Sequence, residues 1–200
     1  MAAQRILFLG PEGAPLAAWL QEQGEQVTRT AGKLSSGLVE DGAFTFLVSH
    51  GYRHIVPAEI LGKLGGRAIN LHISYLPWNR GADPNFWSFV DGTPKGVTIH
   101  YMDEGVDTGD IIVQSEVAFA QGETLASSYE KLQAALQELF KQNWRAIRDG
   151  VCPRRAQGGS GSMHRARDKE ALSHLLPGGW ATPVAVLERH AAASGRKAGT

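Results

Sequence analysis

The chain has 200 residues, of which 42% are hydrophobic, and its 20 Lys and Arg balance 20 Asp and Glu. That is enough material for one domain with a sizeable core, or one domain with a small appendage. Zero net charge argues against a chain whose affinity rests on a general positive excess, as in non-specific nucleic-acid binders. Cys152 stands alone and cannot form an internal disulfide, which fits a reducing compartment. The early apolar run Ile6-Leu-Phe-Leu9 is too short for a signal-peptide core or a membrane span. A cytoplasmic protein is expected, with neither nucleic acid nor membrane among its partners.

Arg5–Gly10 predicts a buried parallel strand ending in a glycine turn. Leu16, Trp19 and Leu20 recur at helical spacing and Gly24 supplies a stop, so a helix follows. Gln26–Arg29 reads as a second strand, and residues 30–41 as loop. Ala43–Ser49 is a strand followed by Gly51, Pro57–Leu64 a short helix closed by Gly65-Gly66, and Arg67–Leu71 a fourth strand. Residues 75–95 are rich in Pro, Gly, Trp and Asn and predict a long functional loop with a helix around Pro84–Val90. Val97–Tyr101 and Ile111–Phe119 are strands joined by the turn Asp103–Asp110. Leu125, Tyr129, Leu132, Leu136, Phe140 and Ile147 mark one amphipathic helix, capped by Thr124 and stopped by Gly150. A glycine-serine loop over 156–164 and short helices over 168–176 and 182–191 follow, with Ala192–Thr200 read as a frayed end. Alternating strands and helices define an α/β fold, an open and mostly parallel sheet flanked by helices with a short helical carboxyl-terminal extension. Residues 1–155 read as the catalytic domain and 156–200 as the extension. Chemistry in such a sheet belongs at the carboxyl ends of the strands.

Asn70 and His72 sit one residue apart at a strand end, which puts both side chains on the same face of an extended chain. Asp107 lies in the turn Asp103-Glu-Gly-Val-Asp-Thr-Gly-Asp110, just before another strand. An amide, an imidazole and a carboxylate suit the polarisation of a carbonyl. The first two can steady an oxyanion, while the carboxylate orients the imidazole and helps move a proton. The same residues also read as a satisfied strand-end histidine and a turn aspartate. The pattern alone leaves both readings open.

Asn70-Leu-His-Ile-Ser-Tyr-Leu-Pro77, Trp78-Asn-Arg-Gly81, Pro84, Gly96-Val-Thr-Ile-His100 and Met102-Asp-Glu-Gly-Val-Asp-Thr-Gly-Asp-Ile111 occur in order. Together they resemble the folate-dependent formyltransferases, a family that includes glycinamide ribonucleotide transformylase, methionyl-tRNA formyltransferase and the sugar N-formyltransferases. The resemblance is firm over about 43–120 and weaker over 1–42 and 121–170. It implies a Rossmann-like formyltransferase fold, 10-formyltetrahydrofolate as co-substrate and a small-molecule amine as acceptor. It places the catalytic asparagine, histidine and aspartate on Asn70, His72 and Asp107. Gly51-Tyr-Arg-His-Ile-Val-Pro57 is similar to the stretch whose backbone holds the pterin, which implicates Tyr52, Arg53, His54, Ile55 and Val56. Asp103, Glu104, Gly105 and Val106 would form the other wall. Gly10 and Gly13, together with Trp78, Asn79 and Arg80, are the residues expected at the acceptor. Neither a metal nor a covalent enzyme intermediate is required, and a homodimer is allowed.

Other readings compete with these. The acids of 103–110 lack EF-hand spacing, and His50, His54 and His100 lack zinc spacing. His100 reads as a structural strand residue. Gly10-Pro-Glu-Gly13 invites a phosphate cradle, but Pro11 removes an amide donor and Glu12 adds negative charge. The chain before Asn70 is short for the family, as though a strand-helix unit were missing between 29 and 43. Neutral charge and length leave little room for a tRNA-binding module. The run Gln157–His164, followed by Arg165, Arg167, Asp168 and Lys169, resembles the tails of sugar N-formyltransferases, as does the cluster of Trp78-Asn79-Arg80 and Trp87. This resemblance implies a nucleotide-linked amino sugar as acceptor. Arg154, Arg155, Arg165 and Arg167 suit either a diphosphate or a solvated basic face. The alternatives are a formyltetrahydrofolate hydrolase and a non-catalytic folate-binding module.

Overall fold

The computed structural model describes residues 3–195. Four strands open the chain: β1 (Arg5–Leu9), β2 (Gln26–Thr30), β3 (Phe46–His50) and β4 (Ala68–His72). They alternate with α1 (Pro15–Glu22), α2 (Ser36–Gly42) and α3 (Ala58–Lys63). β1 pairs in parallel with both β2 and β3, and β3 pairs in parallel with β4. The two-residue strand β5 (Arg80–Gly81) and the helix α4 (Pro84–Val90) follow, then β6 (Gly96–Tyr101) and β7 (Ile111–Glu116). The main sheet has the order β2-β1-β3-β4-β6-β7. The Met102 amide donates to the Ala68 carbonyl and Asn70 faces His100, so β6 runs against β4. Tyr101 and Asp110 pair across the following turn, which returns β7 to the common direction. One reversed strand in six gives the mostly parallel sheet expected from the alternation of strands and helices.

β1 and β3 read as apolar runs because a parallel sheet covered on both faces buries successive residues. Ile6 through Leu9 and Phe46 through His50 are all buried. The long helix α5 (Leu125–Asp149) starts where expected, with Thr124 Oγ1 accepting the Ser127 amide over 3.1 Å. It ends at Gly150, whose φ of 71° suits a residue without a side chain.

Several elements differ from the expectation. Residues 36–42 form α2, not loop, because Val39 is buried in a cluster with Ile60 and Leu64. Its glycines give weak helix propensity, so burial decides the conformation. β7 ends at Glu116, short of Phe119, which packs on another cluster. The glycine-serine loop contains a short strand β8 (Met163–His164) that pairs in parallel with β5. Ala166–Leu175 is a 3-10 segment, whereas α6 (Val184–Ala193) is a regular helix. The expected fraying from Ala192 is displaced by this helix as far as Ala193, and residues 196–200 lie outside the described residues.

The chain forms two compact units interleaved in sequence. The first holds the chain up to His72 together with Ile99–Ile112 and Phe140–Ala156. Leu7, Leu9, Leu47, Val56, Ile60 and Leu64 form one part of its core. Trp19, Phe46, Phe140 and Trp144 form a chain of edge and tilted ring contacts in the same unit. The second holds Ile73–Thr98, Val113–Leu139 and the described chain from Gln157. Its core is Phe86, Trp87, Phe89, Val90, Leu125, Val184 and Leu187. Each large aliphatic side chain buried in these clusters contributes about 1.5–3 kcal/mol. Among the described residues no helix is long and apolar enough to cross a membrane.

Candidate active site

β4 carries Asn70 and His72 on one face, and both belong to the first unit with Asp107. The turn that delivers Asp107 is built by Asp103, whose Oδ1 accepts the Gly105 amide at 3.1 Å and the Thr108 hydroxyl at 2.7 Å. Gly109 allows the turn to close, since a Cβ there would lie 1.9 Å from the Tyr101 carbonyl oxygen. Asp107 itself takes a left-handed φ of 54°, a conformation that aspartate tolerates better than most residues. The result joins the three predicted catalytic residues. The Asn70 amide nitrogen donates to Asp107 Oδ1 over 2.9 Å. His72 Nδ1 stands 3.6 Å from Asp107 Oδ2, with both side chains largely buried.

A fourth residue belongs to this cluster. His100 is buried on β6, with Nε2 3.3 Å from the Asn70 amide nitrogen and 3.4 Å from Asp107 Oδ1. Its Nδ1 lies 2.8 Å from the Tyr101 carbonyl oxygen. His100, which reads from the sequence as a structural strand residue, thus lies beside both Asn70 and Asp107. Strand alternation puts His100 on one face of β6, and the register of β6 on β4 sets it opposite Asn70. Beside it, Tyr101 lies under the Arg154 guanidinium at 3.6 Å. Burial raises the Tyr101 phenol above its ordinary value, and the Arg154 charge opposes that shift.

Two of the expected folate-facing segments border one cluster of the first unit. Tyr52, Val56 and Met102 all pack on the Leu7–Leu47–Ile60 core. Val56 is buried, so its side chain supports the segment and only its backbone could face a ligand. Tyr52 donates to the Gly32 carbonyl at 2.8 Å, and burial raises its phenol pKa. Arg53, His54, Ile55, Asp103, Glu104, Gly105 and Val106 are exposed. Ile55 and Val106 are thus apolar side chains left in solvent on the two segments.

The residues expected at the acceptor are divided between the units. Gly10 and Gly13 belong to the first, where a Cβ on Gly10 would meet the His50 carbonyl oxygen at 2.7 Å. Trp78, Asn79 and Arg80 belong to the second. Asn79 is fully enclosed, with Nδ2 donating to Thr93 Oγ1 at 2.7 Å and Oδ1 accepting from Ser162 Oγ at 3.2 Å. Its side chain works inside the unit and has no exposed atom to offer a ligand. Arg80 is half-buried and donates through Nε and Nη2 to Gln157 Oε1. His164 stacks flat on Trp87, with centroids 3.8 Å apart, and pairs with Asp91 at 2.8 Å. Ser162, Gln157 and His164 were not singled out individually by sequence reasoning. Among the described residues no group of three or more His, Cys, Asp or Glu is placed to hold a metal ion.

An Asn and a His on β4 thus meet an Asp from the turn after β6, and comparison with known proteins gives the chain a family. Residues 24–143 match the formyl transferase family, to which the chain belongs. It is 46% identical to the formyltransferase PseJ from Anoxybacillus kamchatkensis, with a TM-score of 0.89. That match covers 93% of this chain and 98% of the other, which was crystallised with UDP-4,6-dideoxy-4-formamido-L-AltNAc and tetrahydrofolate. Over 119 residues the chain is 35% identical to dTDP-4-amino-4,6-dideoxyglucose formyltransferase of Mycobacterium bovis, covering 60% of this chain. Over 109 residues it is 42% identical to methionyl-tRNA formyltransferase of Clostridioides difficile, covering 53% of this chain. The chain spans only 50% and 35% of these two curated relatives.

Proposed function

We propose that this protein transfers the formyl group of 10-formyltetrahydrofolate to the amine of a nucleotide-linked amino sugar. The observation that carries the reading is the closed Asn70–His72–Asp107 cluster in a chain that matches PseJ over 98% of that protein's length. The two molecules crystallised with PseJ are a 4-formamido sugar nucleotide and tetrahydrofolate. Chemically, they are what remains when a 4-amino sugar has taken a formyl group from formyl-folate. Identity of 46% over nearly the whole of both chains supports a shared chemistry.

In the reaction the acceptor nitrogen attacks the formyl carbon and a C–N bond forms. The carbonyl oxygen becomes an oxyanion, the bond to the folate nitrogen breaks, and a proton passes from the acceptor nitrogen to the departing nitrogen. His72 offers an imidazole N–H to the oxyanion, charge that exists only beyond the ground state. Asp107, beside His72 Nδ1, favours the ring orientation and the positive charge that His72 gains while it handles the proton. The exposed backbone of 51–57 and the turn 103–107 are the candidate pterin walls, with Ile55 and Val106 supplying apolar contact. Trp78 and Arg80 remain the candidate acceptor contacts, with Asn79 holding the loop that bears them.

The test is a panel of UDP- and dTDP-linked amino sugars incubated with formyl-folate and followed by mass spectrometry. A product that gains one formyl group supports the assignment. Formate release at the same rate without any amine would make the protein a hydrolase, and activity confined to free amino acids or a ribonucleotide amine would remove the sugar.

A further inference from the structure

We propose that His100 is a positioning residue that fixes which end of the Asn70 amide meets the reacting centre, an inference that rests on the formyl-transfer reading above. His100 Nδ1 lies 2.8 Å from the Tyr101 carbonyl oxygen. A carbonyl only accepts, so Nδ1 carries the proton, and in the neutral ring Nε2 is an acceptor. Nε2 lies 3.3 Å from the Asn70 amide group, and Asp107 Oδ1 lies 2.9 Å from the same group. Both neighbours demand a donor. Only the NH2 end of Asn70 satisfies both, with one hydrogen given to each.

This arrangement has a chemical consequence. With both N–H bonds directed to Asp107 and His100, Asn70 can act on the reactants only through Oδ1. An amide oxygen cannot stabilise an oxyanion. It can accept a hydrogen bond from the attacking amine, orienting the nitrogen lone pair and supporting the positive charge that the nitrogen acquires on attack. The donor role expected of Asn70 from its sequence pattern is thereby reassigned to His72, and Asn70 becomes the residue that aims the acceptor. Were His100 protonated on Nε2, that nitrogen would turn into a donor against Asp107 Oδ1, 3.4 Å away, and compete with the Asn70 amide.

The experiment reads the tautomer and the kinetics separately. In 15N-labelled protein, the imidazole nitrogens of His100, assigned by their loss in His100→Gln, are expected to show a protonated Nδ1 and an unprotonated Nε2. His100→Leu removes the acceptor and is expected to lower kcat about 10- to 100-fold while the KM for the amino sugar moves less than about threefold. His100→Gln places an amide oxygen near the position of Nε2 and is expected to restore most of the turnover. Thermal unfolding of both variants separates positioning from stability. A protonated Nε2 overturns the proposal. So does a folded His100→Leu within about threefold of wild-type turnover, or a Gln variant no better than Leu at equal thermal stability. The tautomer is read without turnover, so a wild-type protein that formylates no acceptor would sink the functional reading and leave the orientation of Asn70 still decided.

Discussion

Asn70 and Asp107 are separated by 37 residues of sequence, yet the amide of one donates to the carboxylate of the other across 2.9 Å. β4 supplies the first and the turn after β6 the second, so the contact exists only because β6 lies beside β4. The carboxylate is largely buried and lies against both His72 and Asn70.

Loss of the charge on Asp107 should therefore be felt in the chemical step. Asp107→Asn keeps the shape, and His72→Ala removes the imidazole. Each is expected to lower turnover about 100- to 1,000-fold. Folate affinity should change by less than about tenfold, or roughly 1.4 kcal/mol. Single-turnover rates beside folate titrations test this, and a folded His72→Ala with full activity would end the mechanism.

Asn79 provides a contrasting case. Its enclosed amide bridges Thr93 and Ser162, so Asn79→Ala leaves buried groups unsatisfied and should destabilise by about 1–3 kcal/mol. Denaturant unfolding measures the loss. A variant of unchanged stability with a large rise in acceptor KM would show instead that the side chain meets the ligand.

Gly161 holds a φ of 61°, and a Cβ there would stand 2.2 Å from the Pro77 carbonyl oxygen. The clash would push residues 157–164 away from the 77–81 loop and break the β5–β8 pair. Gly161→Ala is expected to open this segment to protease before the remainder of the chain. Limited proteolysis with mapping of the first cut checks it, and a wild-type cleavage pattern would contradict it.

Phe140 is fully buried between Trp19 and Trp144. Phe140→Ala should cost about 3–5 kcal/mol through lost burial and the cavity left behind. Urea unfolding gives the value, and a loss below ~1 kcal/mol would mean that the aromatic chain closes over the gap.

The Tyr101 phenol, raised chiefly by burial, predicts a definite sign. Above the ordinary phenol value of about 10 the unfolded chain loses this proton first, so folding stability falls as pH rises through that region. Tyr101→Phe removes the contribution. Unfolding free energies at increasing alkaline pH should decline less steeply in the variant than in wild type, and identical slopes would refute the burial argument.

The strands β1, β3 and β4, the helix α5 with its Thr124 start and Gly150 stop, and the shared face of Asn70 and His72 were all legible in the sequence. Each depends on apolar period, capping or the two-residue repeat of an extended chain, which are properties of neighbouring residues. The helix over 36–42 was not, because Val39 is drawn into a core supplied by residues far along the chain. The same holds for the strand hidden in the 156–164 loop, which forms only against Arg80 and Gly81. His100 shows the limit most clearly. Its alternation on β6 was visible, but its place beside Asn70 and Asp107 depends on strand order and on the register of β6 against β4. Local periodicity carries no information about which strand lies next or in which direction it runs, so the tertiary structure alone decided that this histidine stands beside Asn70 and Asp107.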